Sequence, residues 1–149
     1  RNKKVLPPTY LLISIVLMVA LHFLHHPTMS VIRLSWNIFG IIPLILGIAT
    51  NIIADNALHK AKTTVKPFEE SAALVTSSVY RISRHPMYLG FVLILVGVAI
   101  VLGSLTPFVI IPIFAILMDV VFIQVEERML EEKFGQVWLE YKRKVRRWI

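Results

Sequence analysis

The chain of 149 residues contains no cysteine, and this absence excludes several kinds of chemistry. Disulfide bonds, thiolate metal sites and a cysteine nucleophile all require a thiol. Acidic residues are also scarce, because nine Asp and Glu stand against sixteen Lys and Arg, giving a formal net charge of +7. The basic residues lie outside the long apolar runs, and no basic stripe stands free of those runs. We therefore expect the positive charge to face membrane lipid and to set topology, and we expect no nucleic-acid partner.

Charged residues make up only 17% of the chain, whereas hydrophobic residues make up 56% and the mean hydropathy is +0.72. Ordinary soluble domains are about half apolar. Here the apolar residues are gathered into long runs, which a soluble domain of this length would have to bury completely. The composition therefore predicts an all-α, polytopic membrane protein that forms a single domain over residues 1–149.

Long apolar runs predict four transmembrane helices. The last run, residues 86–125, would be roughly 60 Å long as one helix, about twice the hydrocarbon core of a bilayer. The sequence Gly-Ser-Leu-Thr-Pro at 103–107 interrupts it, so we expect a helical hairpin there. The predicted spans are residues 9–24, 31–54, 86–102 and 107–125.

Polar and basic segments separate and follow these spans. Residues 55–85 form a connector, and residues 126–149 form a charged tail in which apolar residues recur at helical spacing. We expect this tail to be an amphipathic helix that lies on the membrane surface or folds back against the bundle. With four spans, the N-terminus, the connector and the tail share one side, which the positive-inside rule assigns to the cytoplasm. We expect a bacterial or archaeal inner membrane rather than the endoplasmic reticulum.

Arg84, His85 and Pro86 mark the start of the third predicted span. Proline suits the first turn of a helix, so His85 is expected near the N-cap, where free N–H groups and the helix dipole attract anions. Tyr88 follows on the same face, and Gly90 leaves room for a ligand or another helix to approach. Taken alone, such residues are more often a snorkelling arginine with interfacial aromatic side chains than a catalytic group.

Three carboxylates belong to the end of the fourth span. Glu126 and Glu127 follow it directly, and the hairpin returns them close to the start of the third span. One of them either forms a salt bridge with Arg84 or binds a cationic group of a ligand. Asp119 lies two turns earlier at membrane depth, where an ionisable residue is a functional candidate. The alternative for Asp119 is a structural hydrogen bond to a polar partner such as Asn51.

Two further clusters have simpler interpretations. His22, His25 and His26 share a helical face, but no carboxylate is near in sequence. We therefore expect interfacial histidines and no metal site. The chain ends in a basic cluster that is expected mainly to face lipid; the alternative is that one arginine turns inward to hold an anionic group. Its members are Lys142, Arg143, Lys144, Arg146 and Arg147.

The segment 74–90 reads Leu-Val-Thr-Ser-Ser-Val-Tyr-Arg-Ile-Ser-Arg-His-Pro-Met-Tyr-Leu-Gly. It closely resembles the signature of the isoprenylcysteine carboxyl methyltransferase and phospholipid methyltransferase superfamily. Thr-Thr-Val-Lys-Pro at 63–67 and the paired glutamates at 126–127 also match, so the resemblance covers about residues 60–149. One departure is Ser78-Val79, where members often have Gly-Pro. The tail matches at Leu130, Phe134, Gly135, Trp138, Tyr141, Val145, Arg147 and Trp148.

The resemblance implies a methyltransferase that uses S-adenosylmethionine and a lipophilic or lipid-linked acceptor. A prenylcysteine-like carboxylate, an aminophospholipid and another small lipophilic compound all remain open as the acceptor. The helix start at His85 and Pro86 suits the carboxylate of the cofactor, and Glu126 or Glu127 suits its ammonium or ribose hydroxyls. The remaining cofactor-binding residues that the resemblance implies are Leu74, Val75, Tyr80, Tyr88, Leu89 and Gly90.

The catalytic residues implied by the resemblance are Arg84, His85, Glu127, Arg143 and Arg147. For a carboxylate acceptor, Arg143 or Arg147 would orient the substrate, whereas an amine or thiol would need Glu127 or His85 as a base. Two other interpretations stay open. Membrane sterol reductases, which use NADPH, look similar at the Arg-His-Pro segment but are considerably larger. A lipid-binding module without catalysis is the other, and the intact motifs argue against it.

Overall fold

A computed structural model describes residues 5–25, 32, 35–64 and 71–149. The described residues are mainly helical, with 3-10 turns and one π-helical segment beside the α-helices. The helices are α1 Pro7–His25, α2 Ile41–Lys60, α3 Pro86–Leu102, α4 Ile110–Met118, α5 Gln124–Phe134 and α6 Gln136–Lys144.

Helices of membrane-spanning length dominate the described residues. Three stretches are long and apolar enough to cross a membrane: Pro7–Leu24, Asn37–Lys60 and Thr106–Phe134. The apolar helix α3 has 17 residues, which corresponds to roughly 25 Å and to the lower limit for a span. The predicted all-helical fold with about four membrane helices is confirmed, and α3 is the shortest of the four.

The second membrane helix extends beyond its predicted end. A 3-10 turn at Asn37–Gly40 leads into α2, which continues to Lys60 rather than ending at residue 54. His59 Nδ1 lies 3.3 Å from Asp55 Oδ2 one turn earlier, a pairing that suits an exposed helix end. Loss of apolar character therefore marks the end of the apolar layer, not the end of the helix. The predicted start at residue 31 lies outside the described residues.

The third helix coincides with its predicted bounds, because both of its ends carry strong local signals. Pro86 occupies the first turn, where its missing N–H costs no hydrogen bond. Gly103 adopts φ +80°, and its N–H donates to the carbonyl of Ala99, 3.0 Å away. A left-handed glycine closes a helix without a steric penalty, so the hairpin turns where the sequence predicts.

Glycines let α2 and α3 pack backbone to backbone. A Cβ on Gly47 would lie 2.4 Å from the carbonyl oxygen of Gly90, and a Cβ on Gly40 would lie 2.6 Å from that of Gly97. Small residues permit this close approach inside a membrane, where van der Waals packing drives helix association. Gly90 therefore faces α2, and its small size allows the two helices to make contact there.

The fourth membrane helix continues into the tail. A π-helical segment at Asp119–Ile123 joins α4 to α5, and the helix ends at Gly135, where φ is +54°. The predicted amphipathic tail thus consists of α5, which extends the membrane helix, and the shorter α6. Trp138 and Tyr141 on α6 are both buried, so α6 still packs against the protein after the break at Gly135.

Of the two predicted arrangements for the tail, the fold-back arrangement is correct. The N–H of Arg84 donates to the carbonyl of Arg146 at 3.0 Å, and Ser83 Oγ donates to the carbonyl of Arg147 at 3.1 Å. The hydroxyl of Tyr141 donates to the carbonyl of Tyr80 at 2.6 Å. These bonds tie the end of the chain to the connector just ahead of α3.

Candidate active site

The polar site begins with the backbone at the start of α3. His85 is the N-cap residue of α3, and its own N–H donates to Ser83 Oγ at 3.1 Å. Ser83 is fully buried, and its hydroxyl also holds the tail through Arg147. The connector, α3 and the tail therefore meet at this serine, which fixes the positions of Arg84 and His85.

Glu127 is a buried carboxylate surrounded by three basic side chains. Arg84 Nη2 lies 3.3 Å from its Oε1, and His85 Nε2 lies 3.0 Å from the same oxygen. Arg147 donates from Nε to Oε1 at 3.2 Å and from Nη2 to Oε2 at 2.7 Å. A buried charge is stable only when it is paired and hydrogen-bonded. Glu127 meets this condition through the protein alone.

Glu126, the adjacent residue, has a different environment. Its Oε1 accepts a hydrogen bond from the hydroxyl of Tyr88 at 2.6 Å, and its Oε2 lies 3.4 Å from His85 Nδ1. The side chain of Glu126 is 21% exposed, against 8% for Glu127. The two glutamates that the sequence leaves equivalent are thus distinguished by the fold.

His85 contacts both glutamates, one through each ring nitrogen. Both nitrogens can donate only in the imidazolium form. Burial lowers the pKa of His85, but hydrogen bonds and charge from Glu126 and Glu127 outweigh burial, so the pKa is raised above its usual value. The raised pKa favours the imidazolium form, which can donate to one carboxylate from each ring nitrogen.

Asp119 is paired, but with a different partner from the predicted Asn51. Arg147 Nη1 lies 3.2 Å from Asp119 Oδ2, and Gln124 donates to Oδ1 at 3.1 Å. Asn51 instead donates to the carbonyl of Gly47 within α2. The π-helical turn that begins at Asp119 is a local distortion of the kind found near functional sites.

A cavity of about 210 Å³ lies against this network. Its wall includes the polar residues Arg84, His85 and Glu126 and the apolar residues Leu6, just before α1, and Leu58, near the end of α2. Other predicted site residues in the wall are Leu74, Val75, Tyr80, Pro86 and Tyr88. The cavity therefore joins charged groups at the connector to side chains from the membrane helices.

Five predicted site residues lie elsewhere. Glu127 and Arg147 stand behind the polar wall as its ionic support. Gly90 packs against α2, and the half-buried Leu89 also lies outside the wall. Arg143 is exposed on α6 and does not line the cavity. The positions of Leu89, Gly90 and Arg143 therefore differ from those expected for residues in direct contact with a ligand.

Several wall residues were not predicted as site residues. Trp138 and Tyr141 come from α6, Phe134 and Met129 from α5, and Phe91 from α3. Helical spacing in the tail indicates which residues are buried, but it does not indicate which element they pack against. For Trp138 and Tyr141, the sequence feature that could have predicted a place in the wall is the aromatic pattern of the tail.

Three buried donors in this wall have no hydrogen-bond partner among the described residues. They are Nε and Nη1 of Arg84 and Nε1 of Trp138. Burying a polar group without a partner costs about 1–3 kcal/mol, so such groups are rare in native structures. The guanidinium of Arg84 lies 5.7 Å from the centre of the Trp138 ring, so the three donors are neighbours.

Tyr80 contributes a neutral aromatic side chain to the same wall. Burial, followed by the charge of Glu126, raises the pKa of its hydroxyl well above the usual value. The phenol therefore stays protonated throughout the physiological range. Tyr80 offers an aromatic face and a hydrogen-bond donor, not a base.

The histidines at the end of α1 are remote from this site. His22 Nδ1 lies 2.8 Å from Ser104 Oγ, beside the α3–α4 turn. His26 and the side chain of His25 fall outside the described part of the chain. Among the residues that the structure describes, no group of three His, Cys, Asp or Glu side chains is arranged to hold a metal ion.

Comparison with known proteins agrees with this geometry. The family model described as phospholipid methyltransferase matches residues 36–137, which include α2, α3, α4, α5 and the start of α6. The chain belongs to the phospholipid methyltransferase family. The resemblance seen in the sequence motifs is confirmed.

Two similar curated proteins are named for the same activity. Protein-S-isoprenylcysteine O-methyltransferase of Saccharomyces cerevisiae is 39% identical over 113 residues, which are 72% of this chain and 46% of that protein. Protein-S-isoprenylcysteine O-methyltransferase A of Arabidopsis thaliana is 34% identical over 115 residues, 69% of this chain and 53% of that protein. The chain spans about half the length of these curated relatives.

A solved structure shares the fold. The eukaryotic intramembrane Ras methyltransferase, isoprenylcysteine carboxyl methyltransferase, aligns with a TM-score of 0.71 and 26% sequence identity. The alignment covers 95% of this chain and 52% of the other. Together with the length and apolar character of its helices, this shows an integral membrane protein.

Proposed function

We propose that this protein is an integral membrane methyltransferase that transfers a methyl group from S-adenosylmethionine to a lipophilic acceptor. The observation that carries the proposal is the cavity. Its wall combines the polar residues Arg84, His85 and Glu126 with apolar residues from the start of α1 and the end of α2. A polar donor molecule and an apolar acceptor would meet in such a space.

The polar wall fits the groups of S-adenosylmethionine. Glu126 faces the cavity and offers a carboxylate to an ammonium group or to ribose hydroxyls. Tyr80, Tyr88 and Phe91 line the same space, and aromatic faces attract a cation such as a sulfonium. The bound cofactor would supply an electrophilic methyl group and a neutral thioether leaving group. Glu127 is already engaged by three basic side chains, so we assign cofactor contact to Glu126.

We propose a carboxylate as the methyl acceptor. Both nitrogens of His85 contact glutamates, and its raised pKa favours the protonated form, so it is a poor proton acceptor. Glu127 is likewise held by Arg84, His85 and Arg147. An acceptor that is already an anion needs no base, whereas an ammonium or thiol does. The names of the yeast and plant relatives, which specify isoprenylcysteine O-methylation, support this choice.

The residues around the cavity contribute mainly by alignment. Methyl transfer forms one bond to the acceptor oxygen as the carbon–sulfur bond breaks, and no covalent enzyme intermediate is required. A rigid ionic network behind the wall holds His85 and Glu126 in place. The buried aromatic residues exclude water from the reacting atoms. Such positioning is worth several orders of magnitude in rate.

We also propose that the site faces the cytoplasm. The tail is hydrogen-bonded to the connector through Arg84 and Arg146, and Pro7 at the start of α1 lines the same cavity. The N-terminal end, the connector and the tail therefore lie at one end of the bundle. The tail is strongly basic, and cytoplasmic segments are enriched in Lys and Arg. A reporter that is active only in the cytoplasm should be active when it is fused to either terminus.

A binding titration of the purified protein in detergent tests the function. We expect S-adenosylmethionine and S-adenosylhomocysteine to bind and NADPH not to bind. Binding of NADPH alone would point to the reductase interpretation and would refute the proposal. Methylation of N-acetyl-S-farnesylcysteine, compared with its carboxamide, then tests the acceptor. We expect product only from the free carboxylate. A protein that binds the cofactor but leaves this compound unmethylated, or that methylates an aminophospholipid instead, would contradict the acceptor assignment.

A further inference from the structure

A second cleft, of about 410 Å³, lies between the connector and α6. Thr76 and Arg81 line it from the connector, where Arg81 ends the 3-10 turn Ser78–Arg81. Glu140 and Lys144 line it from α6. None of these four residues lines the cavity of the candidate active site, so the cleft is a separate space. We propose that it binds the phosphodiester headgroup of an anionic membrane lipid.

Arg81 and Lys144 place a cation on each side of the cleft. Both side chains are exposed, and neither forms an ion pair within the described part of the chain. A guanidinium offers paired N–H groups to phosphate oxygens, and an ammonium adds a compact positive charge. The hydroxyl of Thr76 is a further donor in the same cleft. These groups suit a phosphate that lies between the connector and α6.

Glu140 restricts the kind of phosphate that fits. Its carboxylate also lines the cleft, one helical turn before Lys144. A carboxylate repels a bare phosphate ion but accepts hydrogen bonds from hydroxyl groups. A phosphodiester whose headgroup ends in hydroxyls, as in phosphatidylglycerol, satisfies both the cations and Glu140. The exposed Lys142, Arg143 and Arg146 on the same tail add positive potential, which favours a headgroup of net negative charge.

Large apolar side chains are exposed around the cleft. Val137 lines it, Ile82 directly follows Arg81, and Ile149 ends the tail that is hydrogen-bonded to the connector. All three apolar side chains are more than half exposed. In an integral membrane protein, exposed apolar side chains beside basic ones are typical of a surface that lies at the lipid headgroups. A lipid therefore fits this surface better than a soluble anion does.

Tyr141 connects the cleft to the candidate active site. The side chain is buried, lines both spaces, and donates from its hydroxyl to the carbonyl of Tyr80 at 2.6 Å. A headgroup held by Arg81 and Lys144 would clamp the connector to α6 across this hydrogen bond. We therefore expect the lipid and S-adenosylhomocysteine to strengthen each other's binding. This coupling rests on the proposed function, whereas lipid binding itself does not.

Thermal unfolding in detergent micelles that contain either phosphatidylglycerol or phosphatidylcholine tests the lipid site. Arg81→Gln and Lys144→Gln each remove one cation from the cleft. Arg128→Gln and Lys142→Gln are the matched controls, because each removes one exposed cation that does not line the cleft. All four variants have the same net charge, so a general attraction between the basic protein and anionic lipid affects them equally.

We expect phosphatidylglycerol to raise the unfolding temperature of the wild type and of both controls by about 3 °C relative to phosphatidylcholine. The two cleft variants should retain less than about half of this shift. Phosphatidylglycerol should also raise the affinity of the wild type for S-adenosylhomocysteine about fivefold, and this gain should be absent from Arg81→Gln.

Three results would overturn the lipid site. They are a wild type that phosphatidylglycerol does not stabilise, an equal loss of the shift in all four variants, and an equal shift produced by inorganic phosphate alone. The last result would identify a soluble anion as the occupant. Stabilisation by the lipid without a change in S-adenosylhomocysteine affinity contradicts the coupling. Absence of S-adenosylhomocysteine binding in both lipids contradicts the proposed function instead, and the unfolding measurements still decide the lipid site.

Discussion

Arg147 donates hydrogen bonds to both carboxylate oxygens of Glu127, from Nε at 3.2 Å and from Nη2 at 2.7 Å. Its third nitrogen, Nη1, reaches Asp119 at 3.2 Å. The last residues of the chain are thereby joined to the π-helical segment and to the carboxylate that supports Arg84 and His85. A two-oxygen contact of this kind fixes the angle of the carboxylate as well as its position.

We predict that Arg147→Ala lowers the free energy of unfolding by about 2 kcal/mol, because it removes charge-assisted hydrogen bonds from a buried carboxylate. Arg147→Lys should recover only part of this loss, since an ammonium cannot make the two-oxygen contact. Thermal or denaturant unfolding in detergent measures both. Arg143→Ala, at an exposed arginine of the same tail, should be close to wild type. Equal effects at the two arginines would contradict the structural role.

The two adjacent glutamates should respond differently to the same substitution. Glu127→Gln leaves Arg84, His85 and Arg147 without their shared anion, so we expect a loss of about 3 kcal/mol in stability. Glu126→Gln should leave stability within about 1 kcal/mol of wild type, because its side chain is partly exposed. We expect it to weaken S-adenosylhomocysteine binding about tenfold, as for loss of one charged contact.

Unfolding and binding measured on both glutamine variants provide the comparison. Glu126→Asp serves as a further control, because it keeps the charge while shortening the side chain. If Glu127→Gln unfolds like wild type and Glu126→Gln does not, the assignment of support to Glu127 and ligand contact to Glu126 is reversed.

How much of this arrangement follows from sequence depends on the distance over which each contact acts. The bounds of α3 were predicted correctly because Pro86 and Gly103 act on their own backbone. The end of α2 was placed too early, because hydropathy reports the apolar layer and the helix continues through Asp55 and His59 beyond it. Helix ends that depend on local backbone chemistry can be predicted from the sequence, whereas the continuation of a helix into water cannot.

Long-range partners were harder to predict. Asp119 was interpreted either as a functional residue or as a structural one bonded to a partner such as Asn51, and its partner is Arg147, which reaches it because the tail folds back onto the connector. The periodicity of the tail indicated that Trp138 is buried, but not that it would lie against Arg84. The motifs named the residues of the site. Which glutamate faces the cavity and which is enclosed depends on packing between separate elements.

The pH dependence of stability should report the charge on His85. Burial lowers the pKa of His85, but its hydrogen bonds to Glu126 and Glu127 and their negative charge outweigh burial, so the pKa is raised in the folded protein. A raised folded-state pKa contributes stability that is complete below the unfolded value of about 6.5 and is lost as pH rises through the folded-state value. We therefore expect the unfolding temperature of the wild type to fall as pH increases above about 6.5. His85→Gln should lack this component of the decline. Identical pH profiles for the two proteins would contradict a charged His85.

The close contact between α2 and α3 predicts a destabilising effect of Gly47→Ala. Alanine normally favours a helix over glycine by about 1 kcal/mol. Here the added Cβ would lie 2.4 Å from the carbonyl oxygen of Gly90 and 2.8 Å from the amide nitrogen of Ile94, and backbone atoms cannot move aside individually. We expect a net loss of about 2 kcal/mol from overpacking, measured by unfolding in detergent. Because α3 also carries Tyr88 in the cavity wall, affinity for S-adenosylhomocysteine should fall as well. Ile48→Ala, at the exposed neighbouring position, should change neither quantity appreciably. A stabilised Gly47→Ala protein would show that the helices are farther apart than the structure places them.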